Sequence, residues 1–443
     1  MYLHGTSTIN DQGHLQIGGV DTVQLAERFG TPLYIVDEQL VRQRAQQFVR
    51  AFSETDLKFQ VAYASKAFSV VAMCVLAEQE NLSLDVVSDG ELYTALQAGF
   101  PVERIHFHGN NKTVSELDMA LQANIGCFVV DNFLELDLLH ERAQLQGKVA
   151  NILLRISPGV EVHTHEYIST GQEDSKFGFD LGNGTAATAV ATALQYDNLQ
   201  LLGVHSHIGS QIFEVEGFKL AVEKVATFAV NMREQHQITF PVINMGGGFG
   251  IRYTAEDSPL AIEKYVTAIA GAVKEKFSEA DYPMPEVWIE PGRSMVGDAG
   301  TTLYTVGSTK TIPGIRKYVA VDGGMTDNPR PALYQAKYEA ILANRANDAV
   351  EEVVSIAGKC CESGDMLIWD LSLPEVKQGD LLAVFSTGAY NYAMASNYNR
   401  IRRPAVVFVK DGEADLVVAR ESLEQIVVND LVPARFQKTT LAK

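Results

Sequence analysis

The pattern of apolar and polar positions divides the chain into two parts with different periodicities. From about residue 59 to residue 293, short apolar runs of strand character alternate with stretches that have helical spacing. This alternation predicts parallel strands, because a crossover helix must return the chain to the same end of a sheet. The predicted strands lie near 59–65, 82–88, 104–109, 127–131, 151–158, 199–209, 242–248 and 286–293.

Helical patterns follow most of these strands, and an amphipathic helix at about 37–52 precedes the first. Eight strands favour a closed, TIM-like (β/α)8 barrel, and a doubly wound open sheet is the alternative. The other predicted helices span 69–80, 90–99, 113–124, 132–146, 184–195, 217–236 and 259–280.

The pattern of apolar and polar positions changes beyond Met295, where short runs of β character follow one another with few helices between them. Their spacing predicts a mostly antiparallel β-sandwich or β-barrel domain, and Asp411-Gly412 indicates a hairpin turn. Residues 1–32 carry similar short stretches. We therefore expect a barrel over residues 33–285, inserted into a β domain made of residues 1–32 and 286–443.

Composition narrows the classes of function. With 443 residues and 46% hydrophobic residues, the chain can build two domains with full cores. A net charge of −19 argues against binding to nucleic acids or anionic membranes. The first residues lack a signal-peptide pattern, no apolar run reaches membrane-spanning length, and four cysteines suggest no disulfide framework. These features predict a soluble, cytoplasmic protein.

Residues able to do chemistry collect where the predicted strands end, which is where barrel enzymes place their active sites. Lys66 ends the first strand. Desolvation there would favour the neutral, nucleophilic amine, whereas a solitary lysine is more often a surface residue. Because other reactive residues lie at the ends of the other strands, Lys66 is our candidate for the lysine that binds pyridoxal phosphate covalently.

The glycine cluster Gly246–Gly248 follows the seventh strand, and its backbone N–H groups can approach a phosphate. A plain tight turn is the alternative. Glu290 ends the eighth strand and needs a cationic partner there, either a protonated pyridine nitrogen or nearby Arg293. His207 could stack on a cofactor ring.

Three His-x-His pairs suggest a rival, a metal-dependent barrel hydrolase, because residues i and i+2 of a strand share a face and can ligate zinc. No neighbouring aspartate or cysteine in the sequence completes a ligand set, so we predict no metal. The pairs are 106/108, 163/165 and 205/207.

Several motifs together resemble the barrel-type pyridoxal-phosphate decarboxylases, which include ornithine and arginine decarboxylases, and within them the diaminopimelate decarboxylases. The resemblance runs from Tyr34 to beyond Tyr390. Its motifs are Tyr63-Ala-Ser-Lys66, His108-Gly-Asn-Asn-Lys112, His205-Ser-His-Ile-Gly-Ser-Gln211, Gly246-Gly-Gly248, Glu290-Pro-Gly-Arg293, Cys361-Glu-Ser-Gly-Asp365 and Gly388-Ala-Tyr390.

The resemblance implies roles for these residues. Lys66 would carry the cofactor, His207 would stack on its ring and Glu290 would pair with its pyridine nitrogen. Ser210, Gly246 to Gly248, Gly292, Arg293 and Tyr390 would surround the phosphate. Arg293, Arg330, Tyr334, Glu362 and Tyr390 would bind the substrate, and Cys361 would donate a proton at the reacting carbon.

The implied reaction is decarboxylation of meso-2,6-diaminopimelate to L-lysine and CO2, carried out by a homodimer with shared active sites. The Cys-Glu-Ser-Gly-Asp segment and Arg330 favour this substrate over ornithine, arginine or carboxynorspermidine, which are the alternatives of the same chemistry. One departure from the family pattern is Pro329, which precedes Arg330. A cofactor-carrying regulator is a non-enzymatic alternative, and the intact Lys66, Glu290 and Cys361 argue against it.

Overall fold

The barrel is closed. In the computed structural model, which describes residues 2–160 and 175–436, eight parallel strands form a ring in which the last strand pairs with the first. This confirms the predicted TIM-like barrel and excludes the doubly wound sheet. The strands are Phe59–Ala64, Ser83–Val86, Ile105–Phe107, Cys127–Val130, Ala150–Ser157, Leu199–Ser206, Val242–Asn244 and Glu286–Ile289, and Phe179–Asp180 pairs with the fifth.

Helices surround this ring, and several begin at side chains that cap their free N–H groups. Asp37, Ser88, Thr113 and Asn132 each accept a hydrogen bond from a backbone N–H group in the first turn that follows. The apolar faces of the helices cover the outside of the strands and form the main core. The helices are Glu38–Ser53, Val71–Gln79, Asp89–Gln97, Val114–Ala123, Phe133–Leu145, Thr185–Ala193, Glu216–His236 and Ile262–Glu279.

The second unit is a β domain with mostly antiparallel pairing, as predicted. Two pairings are parallel, Leu33–Asp37 with Ala405–Lys410 and Arg316–Val321 with Glu352–Ala357. The expected hairpin turns at Asp411-Gly412, where both residues have positive φ. Its other strands are Gly300–Ile312, Ala340–Leu342, Met366–Leu373, Leu381–Phe385 and Glu413–Val418.

Residues near the N-terminus add a small sheet of three strands that packs its apolar side chains against this domain. The described residues also form four short helices. The strands are Thr8–Ile9, Leu15–Ile17 and Val20–Asp21, and the helices are Thr22–Phe29, Arg293–Val296, Arg330–Tyr334 and Leu423–Val427. Within the described ranges, no helix is both long and apolar enough to cross a membrane.

Two strands pair outside the domain in which the predicted boundaries at residues 33 and 285 place them. Leu33–Asp37 lies in the β domain's sheet, between Gly300–Ile312 and Ala405–Lys410. Glu286–Ile289 closes the barrel. A short, fully buried apolar strand carries no periodicity that reveals which sheet it joins, so the sequence could not place Leu33–Asp37. The division into functional domains remains a prediction.

Candidate active site

A cavity of about 670 Å³ opens at the carboxyl ends of the barrel strands, where the β domain lies against the barrel. Its size suits a cofactor together with a small substrate. Most of the predicted site residues line it: Lys66, His207, Ser210, Gly247, Gly248, Glu290, Gly292, Arg293, Arg330, Tyr334 and Tyr390.

Lys66 lies in a turn of 3-10 helix, Ser65–Ala67, directly after the first barrel strand. Its side chain is exposed into the cavity, so the strong desolvation expected from the sequence is absent. The turn is fixed by its neighbours, since Tyr390 donates its backbone N–H to the Ala67 carbonyl at 2.8 Å. Lys66 therefore points into the cavity from a fixed turn.

Glu290 is buried at the end of the eighth strand, with its carboxylate held by three side chains. His205 Nε2 lies 3.0 Å from Oε2, His108 Nε2 lies 3.2 Å from Oε1, and Asn244 Nδ2 donates to Oε1 at 2.5 Å. Among the ion pairs of the described residues, none joins Glu290 to Arg293, the alternative partner that the sequence offered. Glu290 thus faces imidazoles.

The charges in this cluster follow from burial and proximity. Burial alone would raise the pKa of Glu290, but His108 and His205 hold that pKa well below its usual range. Burial works to lower the pKa of His108, yet the carboxylates of Glu290 and Asp85 raise it to about 9. Burial lowers the pKa of His205 to about 4. At neutral pH the cluster therefore contains a carboxylate, a cationic His108 and a neutral His205.

His207 presents a neutral ring to the cavity. Burial, and then the charge of Lys66, lower the pKa of His207 well below its usual value. Its Nδ1 accepts the backbone N–H of Gly247 at 3.3 Å, which fixes the ring relative to the glycine cluster. An uncharged aromatic ring held in this way suits stacking on a flat cofactor.

The glycine cluster and Arg293 form the end of the cavity that can bind an anion. Gly247 and Gly248 line the cavity, while Gly246 lies behind them and donates its N–H to Asn244 Oδ1 at 2.9 Å. A Cβ on Gly247 would overlap the carbonyl of Glu290, so the close backbone approach requires glycine. Arg293 donates from Nε and Nη2 to Ser210 Oγ at 3.3 and 3.0 Å.

A second arginine lies beside this end of the cavity. Arg330 donates from Nη1 to Tyr338 Oη at 2.8 Å, and Arg293 donates from Nη1 to Tyr253 Oη at 2.5 Å. Both guanidinium groups lie over the Tyr253 ring, at 4.9 and 5.6 Å from its centre. Burial works to raise the pKa of Tyr253, but Arg293 and Arg330 lower it. Despite Pro329, the first turn of the helix Arg330–Tyr334 directs Arg330 to the cavity.

Apart from Gly246, which lies behind the cavity wall, Cys361 and Glu362 are the predicted site residues that do not line this cavity. They lie in the connection between Glu352–Ala357 and Met366–Leu373, and both are exposed. The Cys361 backbone N–H donates to Asn399 Oδ1 at 2.7 Å. The loop is thus ordered but turned away from the cavity of its own chain.

The rival metal site gains one feature from the structure. His108, His205 and Glu290 each place a ligand atom within 4.8 Å of the others, so Glu290 supplies the carboxylate that the sequence did not show. However, both Glu290 oxygens already have protein partners, Asn244 and His108 on Oε1 and His205 on Oε2. The pair at 163 and 165 lies outside the described residues.

Comparison with known proteins decides between these chemistries. Residues 38–297 match the family model described as "Pyridoxal-dependent decarboxylase, pyridoxal binding domain". The chain belongs to this decarboxylase family. Pyridoxal phosphate is therefore its cofactor, and carbon–carbon bond cleavage its class of reaction. The metal-dependent hydrolase and the non-enzymatic regulator are set aside.

Relatives within the family are similar over nearly their whole length. Diaminopimelate decarboxylase of Bacillus subtilis is 64% identical, covering 97% of this chain and 98% of the relative. That of Staphylococcus aureus is 48% identical, covering 96% and 99%. The crystal structure of diaminopimelate decarboxylase from M. jannaschii in complex with L-lysine superposes with a TM-score of 0.91 at 38% identity, covering 98% of this chain and 99% of that one.

The residues that line the cavity fit pyridoxal phosphate chemically. The amine of Lys66 suits an aldehyde, the Glu290 carboxylate suits a protonated pyridine nitrogen, and Ser210, Arg293 and the Gly247–Gly248 amides suit a phosphate. The roles of individual residues remain proposals.

Sequence reasoning did not assign roles to several polar side chains at the site. His108 and His205 stood in quoted motifs, and their i, i+2 spacing from other histidines placed each pair on one face of its strand. Asn244 carried a comparable signal, two residues before Gly246. Tyr253 and Tyr338 carried none, because their place beside the arginines depends on how the two domains meet.

Proposed function

We propose that this protein decarboxylates meso-2,6-diaminopimelate to L-lysine and CO2 at the D-configured carbon. The names of its relatives support this substrate, and one structural observation carries it. Two cationic side chains, Arg293 and Arg330, lie on one cavity, and among the described residues neither forms an ion pair with a carboxylate. Two cations can bind two anions, a cofactor phosphate and a distal carboxylate.

The residues of the barrel would hold and orient the reactants. Pyridoxal phosphate, when bound, accepts the electron pair of the breaking Cα–carboxylate bond. Lys66 would hold the cofactor through its amine and would give up this place to the substrate amine. Glu290 keeps a proton on the pyridine nitrogen because its own pKa is so low. His207 would pack on the ring, and Ser210 and Arg293 would hold the phosphate.

Loss of CO2 leaves an electron pair at Cα that must take up a proton. Either the Cys361 Sγ–H or the Lys66 ammonium group would donate it. Water must be kept away until this step is complete, which calls for a cover over the cavity mouth.

The distal end of the substrate is a zwitterion, with one ammonium and one carboxylate group. Arg330 would bind the carboxylate together with Tyr334, and Glu362 would bind the ammonium group. Ornithine has a bare ammonium group at this end and would leave Arg330 unpaired. The set of residues therefore distinguishes the two substrates by chemistry as well as by length.

The enzyme is proposed to be a homodimer in which each Cys361–Glu362 loop completes the partner's cavity. The exposure of both side chains, away from their own cavity, supports this arrangement. We also place the enzyme in the cytoplasm, since all four cysteines are free. The net charge of −19 continues to argue against nucleic-acid and membrane partners.

A parallel assay tests the substrate. Purified enzyme is offered meso-diaminopimelate, ornithine, arginine and carboxynorspermidine, and released CO2 is measured at several concentrations of each. We expect kcat/KM for diaminopimelate to exceed the others by at least about a hundredfold, because only this substrate pairs with Arg330. Preference for any other amino acid would overturn the substrate and leave the decarboxylase chemistry standing.

A further inference from the structure

Two loops of the β domain carry the residues proposed to bind the distal end of the substrate. The loop of residues 322–329 leads into Arg330, and the loop of residues 358–365 carries Cys361 and Glu362. The loops lie side by side, since Lys359 donates its backbone N–H to the Gly323 carbonyl at 2.9 Å. One of them lines the cavity of its own chain, and the other is turned away from it.

The carboxylate of Asp365 lies between these loops and binds both. Its Oδ1 accepts the backbone N–H of Met325 at 2.7 Å, and its Oδ2 accepts the backbone N–H of Cys360 at 2.8 Å. The residue is 3% exposed. Hydrogen bonds from N–H groups to a buried carboxylate are strong, and a buried carboxylate without them is costly.

The backbone of both loops packs closely around the Asp365 carboxylate. A Cβ on Gly324 or on Gly358 would overlap the Asp365 carboxylate oxygens, so a glycine from each loop closes around it. The backbone of Asp365 takes part as well, because its carbonyl accepts the N–H of Gly358 at 2.9 Å. Movement of either loop therefore disturbs the contacts of the other.

Short lengths of chain connect these contacts to the functional side chains. Cys360 directly precedes Cys361, and Asp365 donates its N–H to the Glu362 carbonyl at 3.2 Å. On the other loop, Asn328 donates its N–H to the Gly324 carbonyl at 2.8 Å, two residues before Arg330. A shift at Asp365 would thus reach both groups.

We propose that Asp365 is a positioning residue that fixes Arg330 in its own cavity and, at the same time, the Cys361–Glu362 loop. This inference rests on the proposed shared active sites: if that loop completes the partner's cavity, a single carboxylate per chain orders a part of both sites of the dimer. The residue touches no reactant and acts through the two loops.

The first test measures loop order in the holoenzyme by hydrogen exchange. Asp365→Asn keeps the shape but turns one oxygen into an N–H donor, so one loop loses its acceptor and the shared arrangement fails. We expect faster exchange in both segments, 323–330 and 358–365. Faster exchange in 358–365 alone would make Asp365 a local residue and overturn the inference. Asp370→Asn, an exposed carboxylate on the following strand, is the matched control.

The second test uses isolated heterodimers, which separate the two loops. Pairing Asp365→Asn with Lys66→Ala leaves one live site, whose Arg330 comes from the Asp365→Asn chain and whose Cys361 loop is intact. Pairing it with Cys361→Ala leaves one live site with normal Arg330 and a disturbed Cys361 loop. The references are the same partners paired with wild-type chains.

We expect the first heterodimer to raise KM for diaminopimelate about tenfold with kcat within about twofold, because substrate binding through Arg330 is affected. In the second, kcat/KM should fall about tenfold, because Cys361 and Glu362 are displaced together. An unchanged KM in the first heterodimer would overturn the inference. Where Asp365→Asn chains do not fold, Asp365→Ser, which is smaller and retains one acceptor, replaces them in both tests.

Failure of the shared site itself is recognised separately. If Lys66→Ala and Cys361→Ala chains recover no activity when paired with each other, the sites are not shared. The hydrogen-exchange test of Asp365 remains valid in that case, because it concerns two loops of a single chain.

Discussion

The two sides of the active site are built in contrasting ways. On the barrel side, Glu290 has three partners from its own chain within 3.2 Å, and the cavity wall around it is complete. On the β-domain side, Cys361 and Glu362 are exposed and contribute nothing to their own cavity. The surroundings of Glu290 are therefore complete within one chain, whereas the proposed shared site would take Cys361 and Glu362 from a second.

The largest expected effect comes from removing the anchor on the barrel side. Lys66→Ala should abolish covalent attachment of pyridoxal phosphate and activity while the fold persists, because its amine is the one placed for the imine. Borohydride trapping followed by mass spectrometry measures the attachment. Lys337→Ala, a lysine at the rim of the same cavity, should trap the cofactor normally. Trapping in Lys66→Ala would identify a different anchor.

Complementation tests the contrast directly. Lys66→Ala and Cys361→Ala chains should each be nearly inactive, because each lacks one side of every site. Refolding an equal mixture should restore about a quarter of wild-type activity, since half of the dimers are mixed and each has one intact site. If one chain supplied both residues, every site would keep a lesion and mixing would restore nothing.

Glu290→Gln should lower kcat far more than it weakens cofactor binding. A neutral amide cannot hold the proton on the pyridine nitrogen as negative charge develops, so the loss falls on the transition state. Steady-state kinetics and cofactor titration separate the two quantities, with Glu256→Gln at the cavity rim as the control. A loss of kcat below about tenfold, or ~1.4 kcal/mol, would make Glu290 a structural residue.

Substrate binding should involve both sides. Arg330→Ala and Glu362→Ala should each lower kcat/KM for diaminopimelate by about tenfold to a hundredfold, because a substrate charge is left unpaired. Arg316→Ala, a surface arginine of the β domain, should have no effect. Equal activity of Arg330→Ala and wild type would remove the distal carboxylate from its proposed place.

The smallest effect concerns stability of the cofactor-free enzyme. The pKa of His108 is raised to about 9 in the folded protein by the nearby carboxylates. Protonated His108 therefore contributes fully to the free energy of unfolding below pH 6.5, its usual pKa, and this contribution is lost as the pH rises through 9. The difference in unfolding midpoint between wild type and His108→Gln should therefore shrink from pH 6.5 to pH 9.5. A constant difference would mean that His108 does not titrate in this range.

The sequence predicted the parts of the site that depend on local order along the strands. Lys66, the Gly246–Gly248 cluster and Glu290 could be placed together because parallel strands end on the same face of a barrel. The partners of Glu290 could not be chosen from the sequence, which offered a protonated pyridine nitrogen or Arg293 and did not point to His108 or His205. The predicted desolvation of Lys66 was wrong because the cavity that receives the cofactor also exposes the amine.

Features that depend on the contact between the two domains were beyond prediction. Leu33–Asp37 fell at the start of the predicted barrel domain, but its place in the second sheet is decided by partners more than 260 residues away. Tyr253 and Tyr338 reach the arginines only through that interface. Periodicity describes the neighbours of a residue along the chain and contains no information on such distant pairings.

The position of Leu33–Asp37 also has a consequence for how the chain folds during synthesis. The strand is made early, but its partners Gly300–Ile312 and Ala405–Lys410 leave the ribosome much later. The barrel can close once Glu286–Ile289 has emerged, while this early strand still has both edges unpaired. One edge of this early strand can pair soon afterwards with Gly300–Ile312, but the other stays open until Ala405–Lys410 has been made, close to the end of synthesis.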